Sequence, residues 1–310
     1  MRKNRHQVVR AMATERKRVS IRSCCRHLGF SKQAYYQFRH HREDQAERDR
    51  QIVGKVLTVR RHLPRLGTRK LYYLLKDEFG AAHIAVGRDK LFEVLRAKQM
   101  LITKRRKYIQ TTDSKHWMRT YPNRAQHMPL TQPEQLWVAD ITYILTRQET
   151  LYLHLVIDAY SKQIMGYMLS RDLKAASTLK ALQMALGKRM YPQHQIIHHS
   201  DRGLQFCSKL YINELRKHNC QISMTQDGNP YDNAVAERVN GILKDEFYCD
   251  EPFENYETAL ASVAQSIILY NTRRPHMSCS MLTLVQMHQQ QELLVKHWHR
   301  KSLCSCREVL

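Results

Sequence analysis

The amino-acid sequence predicts an α/β domain with a mixed five-stranded sheet and covering helices, preceded by small all-α units. Three runs rich in β-branched and aromatic residues follow one another between positions 136 and 169, and two shorter runs alternate with helical patterns up to position 225. Three strands followed by helix, strand, helix and strand is an order typical of a mixed central sheet. Before position 131 the apolar residues recur instead at helical spacing and are interrupted by glycines.

The electric charge is distributed unevenly along the chain. Its 310 residues include 51 Lys and Arg against 28 Asp and Glu, a formal net charge of +23. Positions 1–130 hold 32 of the basic and 10 of the acidic residues, a net +22, so the remainder is almost neutral at +1. Such an excess predicts a region that binds a polyanion, for which nucleic acid is the usual partner inside cells. A merely solvated basic surface is the alternative.

Composition also limits the class of protein. Hydrophobic residues make up 43% of the chain, enough to bury a core, and no run of about 18 apolar residues is present to span a membrane. The first residues lack the apolar stretch of a signal peptide, so we expect a cytoplasmic protein that is not attached to a membrane. The eight cysteines have no CxxC spacing, and we therefore expect reduced thiols rather than a zinc site or disulfides.

The first helical unit, assigned to residues 1–60, has the pattern of a helix-turn-helix. An apolar helical run ends at Gly29, a suitable turn residue, and Ser31 is a suitable N-cap for the second helix. In such a motif the second helix enters the major groove and its polar side chains reach the base edges. The residues in position to do so are Lys32, Gln33, Gln37 and Arg39. A purely structural hairpin is the alternative, and the charged segment that follows predicts a separate bridging helix.

The rest of the chain divides into four segments. Residues 61–105 contain two apolar-periodic runs, RKLYYLLKDEF and GRDKLFEVLRAKQM, which predict a second small helical unit. Residues 106–130 lack a periodic apolar face and predict a basic linker that lies along phosphates, with a tether that makes no contacts as the equal alternative. The α/β domain follows as residues 131–288, and residues 289–310 form a tail without a recognisable pattern.

The elements of the α/β domain follow in order. Strands are predicted at 136–144, 151–159, 162–169, 195–201 and 221–225. Helices are predicted for ASTLKALQMALGKRM, for the run that Ser208 caps, and for DNAVAERVNGILKDEF, in which Asp232 is a suitable cap.

Three acidic residues are placed where this architecture can bring them together. Asp140 lies inside an apolar strand, Asp201 ends another, and Glu237 lies on the following helix. A buried acid is costly unless something pairs with it, and carboxylate oxygens are the ligands that Mg²⁺ prefers. Two such ions would activate the attacking oxygen and stabilise the leaving oxygen in a phosphoryl displacement. Spacing alone does not establish this chemistry, because any α/β domain has acids near its strand ends.

The sequence around these acids resembles a known family. Sixty residues lie between Asp140 and Asp201 and thirty-five between Asp201 and Glu237, the spacing of the acidic triad in retroviral-integrase-like transposases. The similar motifs are WVADITYI at 137–144, HHSDRGLQF at 198–206, MTQDGNPYDNAVAERVNGILKDEF at 224–247 and YNTRRPHMS at 270–278. Together they resemble a narrower group, the transposases of the bacterial insertion sequence three family, of the second-reading-frame (OrfB) type.

The resemblance implies an RNase H-like core and a DNA transposase of the DDE type, a polynucleotidyl transferase. Asp140, Asp201 and Glu237 would be the catalytic acids and would hold two Mg²⁺ ions, for which Mn²⁺ can substitute. Water would cleave the 3′ end of the element, and the freed 3′-OH would attack a second strand, first at the opposite end of the same element. Expected partners are the terminal inverted repeats, target DNA and further copies of the chain at the nucleoid. The role of an upstream reading-frame product or fusion is left open.

The same resemblance connects two further residues with DNA. Lys244 follows Glu237 by seven residues, two helical turns, and would lie near the DNA backbone at the cleavage site; an ordinary solvated lysine is the alternative. Arg274 would contact a phosphate or, equally, lock the end of the preceding helix. Where the family has a Thr-Pro pair, this chain has Thr283 and Leu284. The alternative functions are a decayed, catalytically inactive DNA-binding protein and a nuclease that cuts without joining.

Overall fold

The computed structural model describes residues 7–9, 11–12, 20–103, 119–126, 128–226 and 233–290. The chain forms two compact units, one made of residues 1–59 and 75–101 and the other of residues 60–74 and 102–310. The predicted boundaries instead set residues 61–105 apart as a unit of their own. No helix within the described ranges is long and apolar enough to cross a bilayer.

The first unit begins with the predicted pair of helices around a short turn. Ser20 caps helix α1 (Ile21–His27) by accepting a backbone N–H one turn into the helix at 3.2 Å. Gly29 adopts the left-handed φ of +74° that commonly follows a helix end, and Ser31 caps helix α2 in the same way at 3.0 Å. A small buried cluster holds the pair together and consists of Val9, Cys24, Cys25 and Tyr35. The predicted helix-turn-helix geometry is thus present.

Helix α2 (Lys32–Arg60) runs through 29 residues without interruption. The prediction of a separate bridging helix is therefore wrong, because the segment contains no proline and its one glycine, Gly54, is accommodated within the helix. Charged residues one turn apart pair along its exposed surface, as Arg39 Nε does with Glu43 Oε1 at 3.2 Å. Such pairs help to keep a charged segment with little apolar periodicity helical.

Two more helices match the second predicted helical unit. They are α3 (Thr68–Ala81) and α4 (Arg88–Ala97). Each is amphipathic, and the buried residues on their apolar faces are Leu71, Leu75, Phe79, Leu91, Val94 and Leu95.

The second unit is built on a mixed five-stranded sheet in the order β3-β2-β1-β4-β5. The strands are β1 (Leu136–Leu145), β2 (Thr150–Asp158), β3 (Ile164–Ser170), β4 (Ile197–Ser200) and β5 (Gln221–Met224). The first three form the predicted antiparallel meander, and β4 and β5 run parallel to β1. All five predicted strands are present, with ends that lie within two residues of the predicted positions.

Six helices of this unit are described. They are α5 (Ala175–Gly187), α6 (Leu204–Cys207), α7 (Lys209–Lys217), α8 (Ala234–Phe247), α9 (Tyr256–Thr272) and α10 (Leu284–His288). The pair that replaces the family's Thr-Pro still starts a helix, because Thr283 and Gln286 form a reciprocal capping box at the beginning of α10.

The two faces of the sheet pack against different helices. On one face, Trp137 and Ala139 of β1 are buried in a core with Tyr211 of α7. Because side chains alternate along a strand, Val138 and Asp140 point to the other face. Helix α8 contacts β1, and its side chains reach Asp140 on that face. The alternation therefore directs this acid away from the core and towards α8.

The edge strand β3 is covered by a side chain instead of a further strand. Asn271 Oδ1 accepts from Ile164 N at 3.0 Å, and Asn271 Nδ2 donates to Ile164 O at 2.9 Å. One amide group from the end of α9 thus satisfies both backbone groups of a residue at the edge of the sheet.

The opposite edge strand, β5, is covered by the end of the predicted linker. Residues 119–126 lie beside it, and Arg124 N donates to Ser223 Oγ at 2.8 Å. This stretch packs on the sheet and is not a free tether. Residues 106–118 of the linker are outside the described residues, so the predicted phosphate contacts there stay a prediction.

Residues 60–74 belong to the second unit because they bond to the end of α8. Arg65 Nη1 donates to Asp245 O at 2.9 Å, and Lys70 Nζ donates to Glu246 Oε1 at 3.1 Å. The sequence alone did not connect these two segments, which are about 180 positions apart.

Gly166→Ala will destabilise the protein, because β3 passes too close to α5 for any side chain at this position. A Cβ on Gly166 would overlap the carbonyl oxygen of Ala181 and lie 2.7 Å from Ala185 N, both in the helix backbone. Overpacking of this kind costs about 1–3 kcal/mol. Gly187→Ala is the matched control, since an added Cβ there meets nothing within 4 Å. Thermal unfolding that gives the same Tm for both variants would contradict the close packing.

Candidate active site

The site is built first from two neighbouring parallel strands. Val138 of β1 pairs with His199 of β4. Continued by two residues, this register places Asp201 beside Asp140 and on the same face of the sheet, about 4.8 Å away across the strands. β4 ends at Ser200 while β1 continues to Leu145, so the two acids lie where the parallel pairing stops.

Helix α8 crosses this face and is bonded to β1 at two points. Asn233 Nδ2 donates to Ala139 O at 3.2 Å, and Asn240 Nδ2 donates to Asp140 Oδ2 at 2.7 Å. Glu237 lies three residues before Asn240 and Lys244 lies four residues after it, so all three share one side of the helix. The bond from Asn240 therefore brings the side of α8 that carries Glu237 towards Asp140.

The acids create a strongly negative potential at this point of the sheet. The pKa of Asp140 is raised to about 7, chiefly by burial and then by the charges of Asp201 and Glu237. Hydrogen bonds from Asn240 and from the backbone of Ile141 oppose the increase only in part. A carboxylate held among like charges in this way favours a proton or a cation beside it.

The side chains of the three acids differ in exposure. Asp140 and Asp201 are half-buried, and Asp201 Oδ1 accepts from Gly203 N at 2.9 Å, whereas Glu237 is exposed. Within the described part of the chain, no three acidic, His or Cys side chains are grouped as a metal centre would group them. The charges of Asp201 and Glu237 thus act on Asp140, but the three carboxylate groups are not arranged as the ligands of one metal ion.

Lys244 lies on the same side of α8 and is half-buried. Burial lowers its pKa, and the nearby charges of Asp140 and Asp250 act in the opposite direction. The interaction with Asp140 places this ammonium group at the acidic site, which an ordinary solvated lysine would not be. Contact with DNA stays a prediction.

Arg274 does not lie where DNA could reach it. Its side chain is 1% exposed, and its Nε and Nη2 donate to the two carboxylate oxygens of Glu246 at 2.8 and 2.7 Å. The predicted phosphate contact is thus not supported, because the guanidinium is already paired inside the protein. The alternative interpretation, a lock at the end of α9, agrees with the structure.

The residues predicted to read bases lie on the first turns of α2. Lys32, Gln33, Gln37 and Arg39 are all exposed. The charged groups of Lys32 and Arg39 lie over the ring of Tyr36, at 5.8 and 5.5 Å from its centroid. Their exposure leaves them available to a ligand, and their contact with DNA stays a prediction.

Two histidines and one acid near the site have structural roles. His198 Nε2 and Tyr211 OH are hydrogen-bonded at 2.9 Å on the core face, and His199 Nδ1 and Ser223 Oγ at 2.8 Å on the other. Asp158 is fully buried and accepts backbone and side-chain hydrogen bonds that close the β2–β3 turn. Asp158 is thus bonded within the protein and is not one of the three candidate acids.

Sequence reasoning missed Asn240 and the contact that Asn233 makes with β1. Asn233 is the residue before α8 but makes no capping bond with its side chain, which reaches β1 instead. The predicted cap, Asp232, and the turn residues 229–231 lie outside the described residues. Asn240 is a polar residue between Ala236 and Leu243, two buried apolar residues of α8, and this position is the signal that could have identified it.

Comparison with known proteins identifies the family of this chain. Two models of the integrase core domain match residues 131–230 and 218–283. The chain is 34% identical over 256 residues to the insertion element IS600 31 kDa protein of Shigella sonnei, covering 81% of this chain and 92% of that protein. The chain belongs to the insertion sequence three family of transposases. The predicted family and the predicted RNase H-like fold are thereby confirmed.

Other relatives of this transposase extend the comparison. Transposase InsF of insertion sequence IS3A from Escherichia coli is 40% identical over 152 residues, which cover 49% of this chain and 52% of that protein. The catalytic core domain of HTLV-2 integrase, solved in complex with magnesium, is 18% identical with a TM-score of 0.41 and covers 51% of this chain and 97% of that one. As a member of its family the transposase is a DNA-acting enzyme of the DDE type, a polynucleotidyl transferase.

Proposed function

We propose that Asp140, Asp201 and Glu237 are the catalytic acids with which this transposase cleaves the 3′ ends of an insertion sequence and joins them to a second DNA strand. The observation that carries the proposal is that the parallel register of β1 and β4 and the bond from Asn240 to Asp140 bring the three acids to one face of the sheet; the raised pKa of Asp140, whose causes include the charges of both other acids, agrees with it. Residues from two strands and a helix thus act on one point of the sheet, and a carboxyl group whose pKa is shifted by neighbouring acids is typical of a functional site.

The donor set suits magnesium. Carboxylate oxygens are hard ligands, and their mutual repulsion is relieved when a divalent cation binds between them. We assign two Mg²⁺ ions to these three residues, with Mn²⁺ as a substitute. When bound, the metal would help to activate the attacking oxygen and to neutralise the charge on the leaving oxygen.

The remaining steps fall to the protein's own residues. Asn240 holds the carboxylate of Asp140 in one orientation, and Lys244, on the same side of α8, binds a phosphate of the strand to be cut. Water attacks the phosphorus at the element end, the P–O3′ bond breaks, and a 3′-OH is released. That hydroxyl then attacks a phosphodiester of the second strand, forming one P–O bond as another breaks.

Polar and basic residues of the helix-turn-helix bind the DNA. Lys32, Gln33, Gln37 and Arg39 are exposed at the start of the second helix of the helix-turn-helix, where they can reach the terminal inverted repeats. Cleaving two ends and joining them to target DNA requires more than one site, so we assign an oligomer of this chain on DNA, with an upstream reading-frame product as a further partner. We place it in the cytoplasm at the nucleoid.

Glu237→Gln is the test of this function. Glu237 is exposed, so the substitution removes its charge without disturbing packing. On a duplex taken from the DNA that flanks the coding region, with Mg²⁺, we expect cleavage and joining to fall about a thousandfold or more, as the loss of several kcal/mol of transition-state stabilisation would cause. Glu257→Gln, a similar change at an exposed residue of α9, is the control.

Each outcome of the assay decides between the candidate functions. Joined strands from wild type and the control but not from Glu237→Gln support the transposase. Equal activity in both variants would remove Glu237 from the triad. Cut strands without joined products from the wild-type chain would indicate a nuclease, and no products at all would indicate a decayed protein that only binds DNA.

A further inference from the structure

A cavity of about 200 Å³ lies beside the first half of α8. Ala234, Val235 and Val239 of α8 give it an apolar floor. Its polar walls come from Lys162 in the β2–β3 turn, Arg238 of α8, and His276 after α9. None of the three acids lines it, and no step of the proposed reaction uses it. We call it the flank cavity.

The electrostatic potential in the flank cavity is positive. The pKa of His276 is lowered to about 3, by burial and then by the positive charges of Arg274, Lys70, Lys162 and Arg238. Glu246 offsets one of the two charges on Arg274 and Lys70, so a net positive charge remains around the imidazole. The ring itself is therefore neutral at physiological pH, and its Nδ1 is 2.9 Å from Ser278 Oγ.

Arg238 is the side chain best placed to bind a ligand here. It is exposed, and among the residues the structure describes it has neither a hydrogen-bond nor an ion-pair partner. Lys162 is held at the opposite wall, where its Nζ donates to Ala159 O. One exposed guanidinium and one lysine whose ammonium group is held by a backbone carbonyl thus line a small space with an apolar floor, which suits a phosphate attached to a sugar or base better than a free anion alone.

The position of the cavity relative to the acids indicates how a bound DNA strand would run across α8. Arg238 follows Glu237 directly, so their side chains diverge by about 100° around α8. Glu237 is exposed, and so is Ala234, which lies one turn before it on the same helix and lines the cavity. A DNA strand with one phosphate at the acids would reach the cavity by crossing this side of α8.

We propose that the flank cavity binds one nucleotide of the DNA strand that passes through the active site, with its phosphate on Arg238 and Lys162 and its sugar or base on Val235 and Val239. The proposal rests on the proposed function for the position of the strand. It assigns a second point of contact on the far side of α8, which fixes the strand across the helix that carries Glu237.

Binding measured without divalent metal tests this proposal separately from catalysis. The probe is a duplex from the DNA flanking the coding region, with one neutral methylphosphonate placed at each backbone position in turn, against the full chain. For wild type we expect one position near the element end to weaken binding about tenfold, as the loss of a charged hydrogen bond would cause. Arg238→Gln should weaken binding of the unmodified duplex by a similar factor, reduce the salt slope by about one, and be insensitive to that methylphosphonate.

Two further variants sharpen the result. Lys180→Gln removes a positive charge from the exposed surface of α5 and should keep the wild-type methylphosphonate pattern. Ala234→Trp fills the cavity from the exposed first residue of α8 and should abolish the same positional effect with no change in charge.

The proposal fails if Arg238→Gln and Ala234→Trp retain the wild-type methylphosphonate pattern. It also fails if inorganic phosphate alone shifts the ring resonances of His276 while no backbone position of the duplex depends on Arg238, which would make the cavity a site for a free anion. A Glu237→Gln variant that still cleaves would overturn the proposed function instead, because the binding measurement involves neither metal nor cleavage.

Discussion

Asp140→Asn will abolish DNA cleavage and joining and at the same time make the metal-free protein more stable at neutral pH. The two effects have one cause, which is that the carboxylate lies beside two other acids whose charges raise its pKa to about 7. Asparagine keeps the shape and accepts the hydrogen bond from Asn240 through its amide oxygen, but it carries no charge to bind a cation. We expect activity to fall by about a thousandfold or more.

The stability gain has a defined pH dependence. Since the folded protein raises the pKa of Asp140 from 3.8 to about 7, the wild type loses stability as pH rises through this interval, and the Asn variant does not. The difference should be absent below about pH 4 and reach about 1–2 kcal/mol above pH 7, less than the full shift implies because the half-buried group is partly screened by solvent.

Thermal unfolding at several pH values, with and without Mg²⁺, measures both parts. Mg²⁺ should raise the Tm of wild type but not that of Asp140→Asn, because a ligand stabilises only the protein that binds it. Asp77→Asn, at an exposed position of α3, is the control for the change of charge. If Asp140→Asn is less stable than wild type at pH 7, the charge of Asp140 stabilises the fold through a structural partner, which contradicts its assignment as a metal ligand.

Glu246→Gln will cause a large loss of stability. Its carboxylate accepts three hydrogen bonds, two from Arg274 and one from Lys70, whose side chains are 1% and 12% exposed. The pKa of Glu246 is below its ordinary value despite burial, because these cations favour the charged form. Removing one partner of a buried ion pair leaves the other without compensation and costs about 3–5 kcal/mol.

Denaturant unfolding with matched variants measures this effect. Glu254→Gln, which breaks the exposed pair with Arg147 at 2.8 Å, should cost less than about 1 kcal/mol. The double variant Glu246→Gln with Arg274→Met should regain part of the loss, because it also removes the buried guanidinium. A cost for Glu246→Gln no greater than that of Glu254→Gln would show that solvent reaches the cluster.

The ion-pair cluster is also connected with the active site. Glu246 lies near the end of α8, the helix that carries Glu237, and it joins this helix to the segment after α9 and to α3. Asn233 and Asn240 fix the other half of the same helix to β1. Glu237 lies between Asn233 and Asn240, so these bonds hold its backbone at a fixed distance from the sheet.

Local patterns in the sequence were sufficient for most of the fold. The strands around Asp140 were predictable because β-branched and aromatic residues alternate between turn residues, and the helix-turn-helix was predictable from Gly29 and the cap at Ser31. The continuous helix α2 was missed because charged pairs, rather than an apolar side, support its middle. A helix that is stabilised by charged pairs has little hydrophobic periodicity in its sequence from which its length could be predicted.

The site could be predicted only as far as its acids. Asp140, Asp201 and Glu237 were identified through motifs, but their common face depends on the parallel register of β1 and β4, which no short segment encodes. For Arg274 the sequence left a phosphate contact and a lock at the helix end as equal alternatives. Its partner, Glu246, is 28 residues away, and only the packing of α9 against α8 brings the two together.

The coverage of the sheet edges bears on how copies of this protein can associate. An uncovered edge strand exposes a row of backbone donors and acceptors and invites pairing with another chain, the route to aggregation. Asn271 occupies the backbone N–H and C=O of Ile164 at the beginning of β3, and residues 119–126 lie beside β5. A fragment that begins at position 131, where the integrase core match begins, would lack residues 119–126. Its β5 would then be an exposed edge strand, prone to pair with β5 of another copy. These contacts disfavour extension of the sheet of the intact chain at the beginning of β3 and beside residues 119–126.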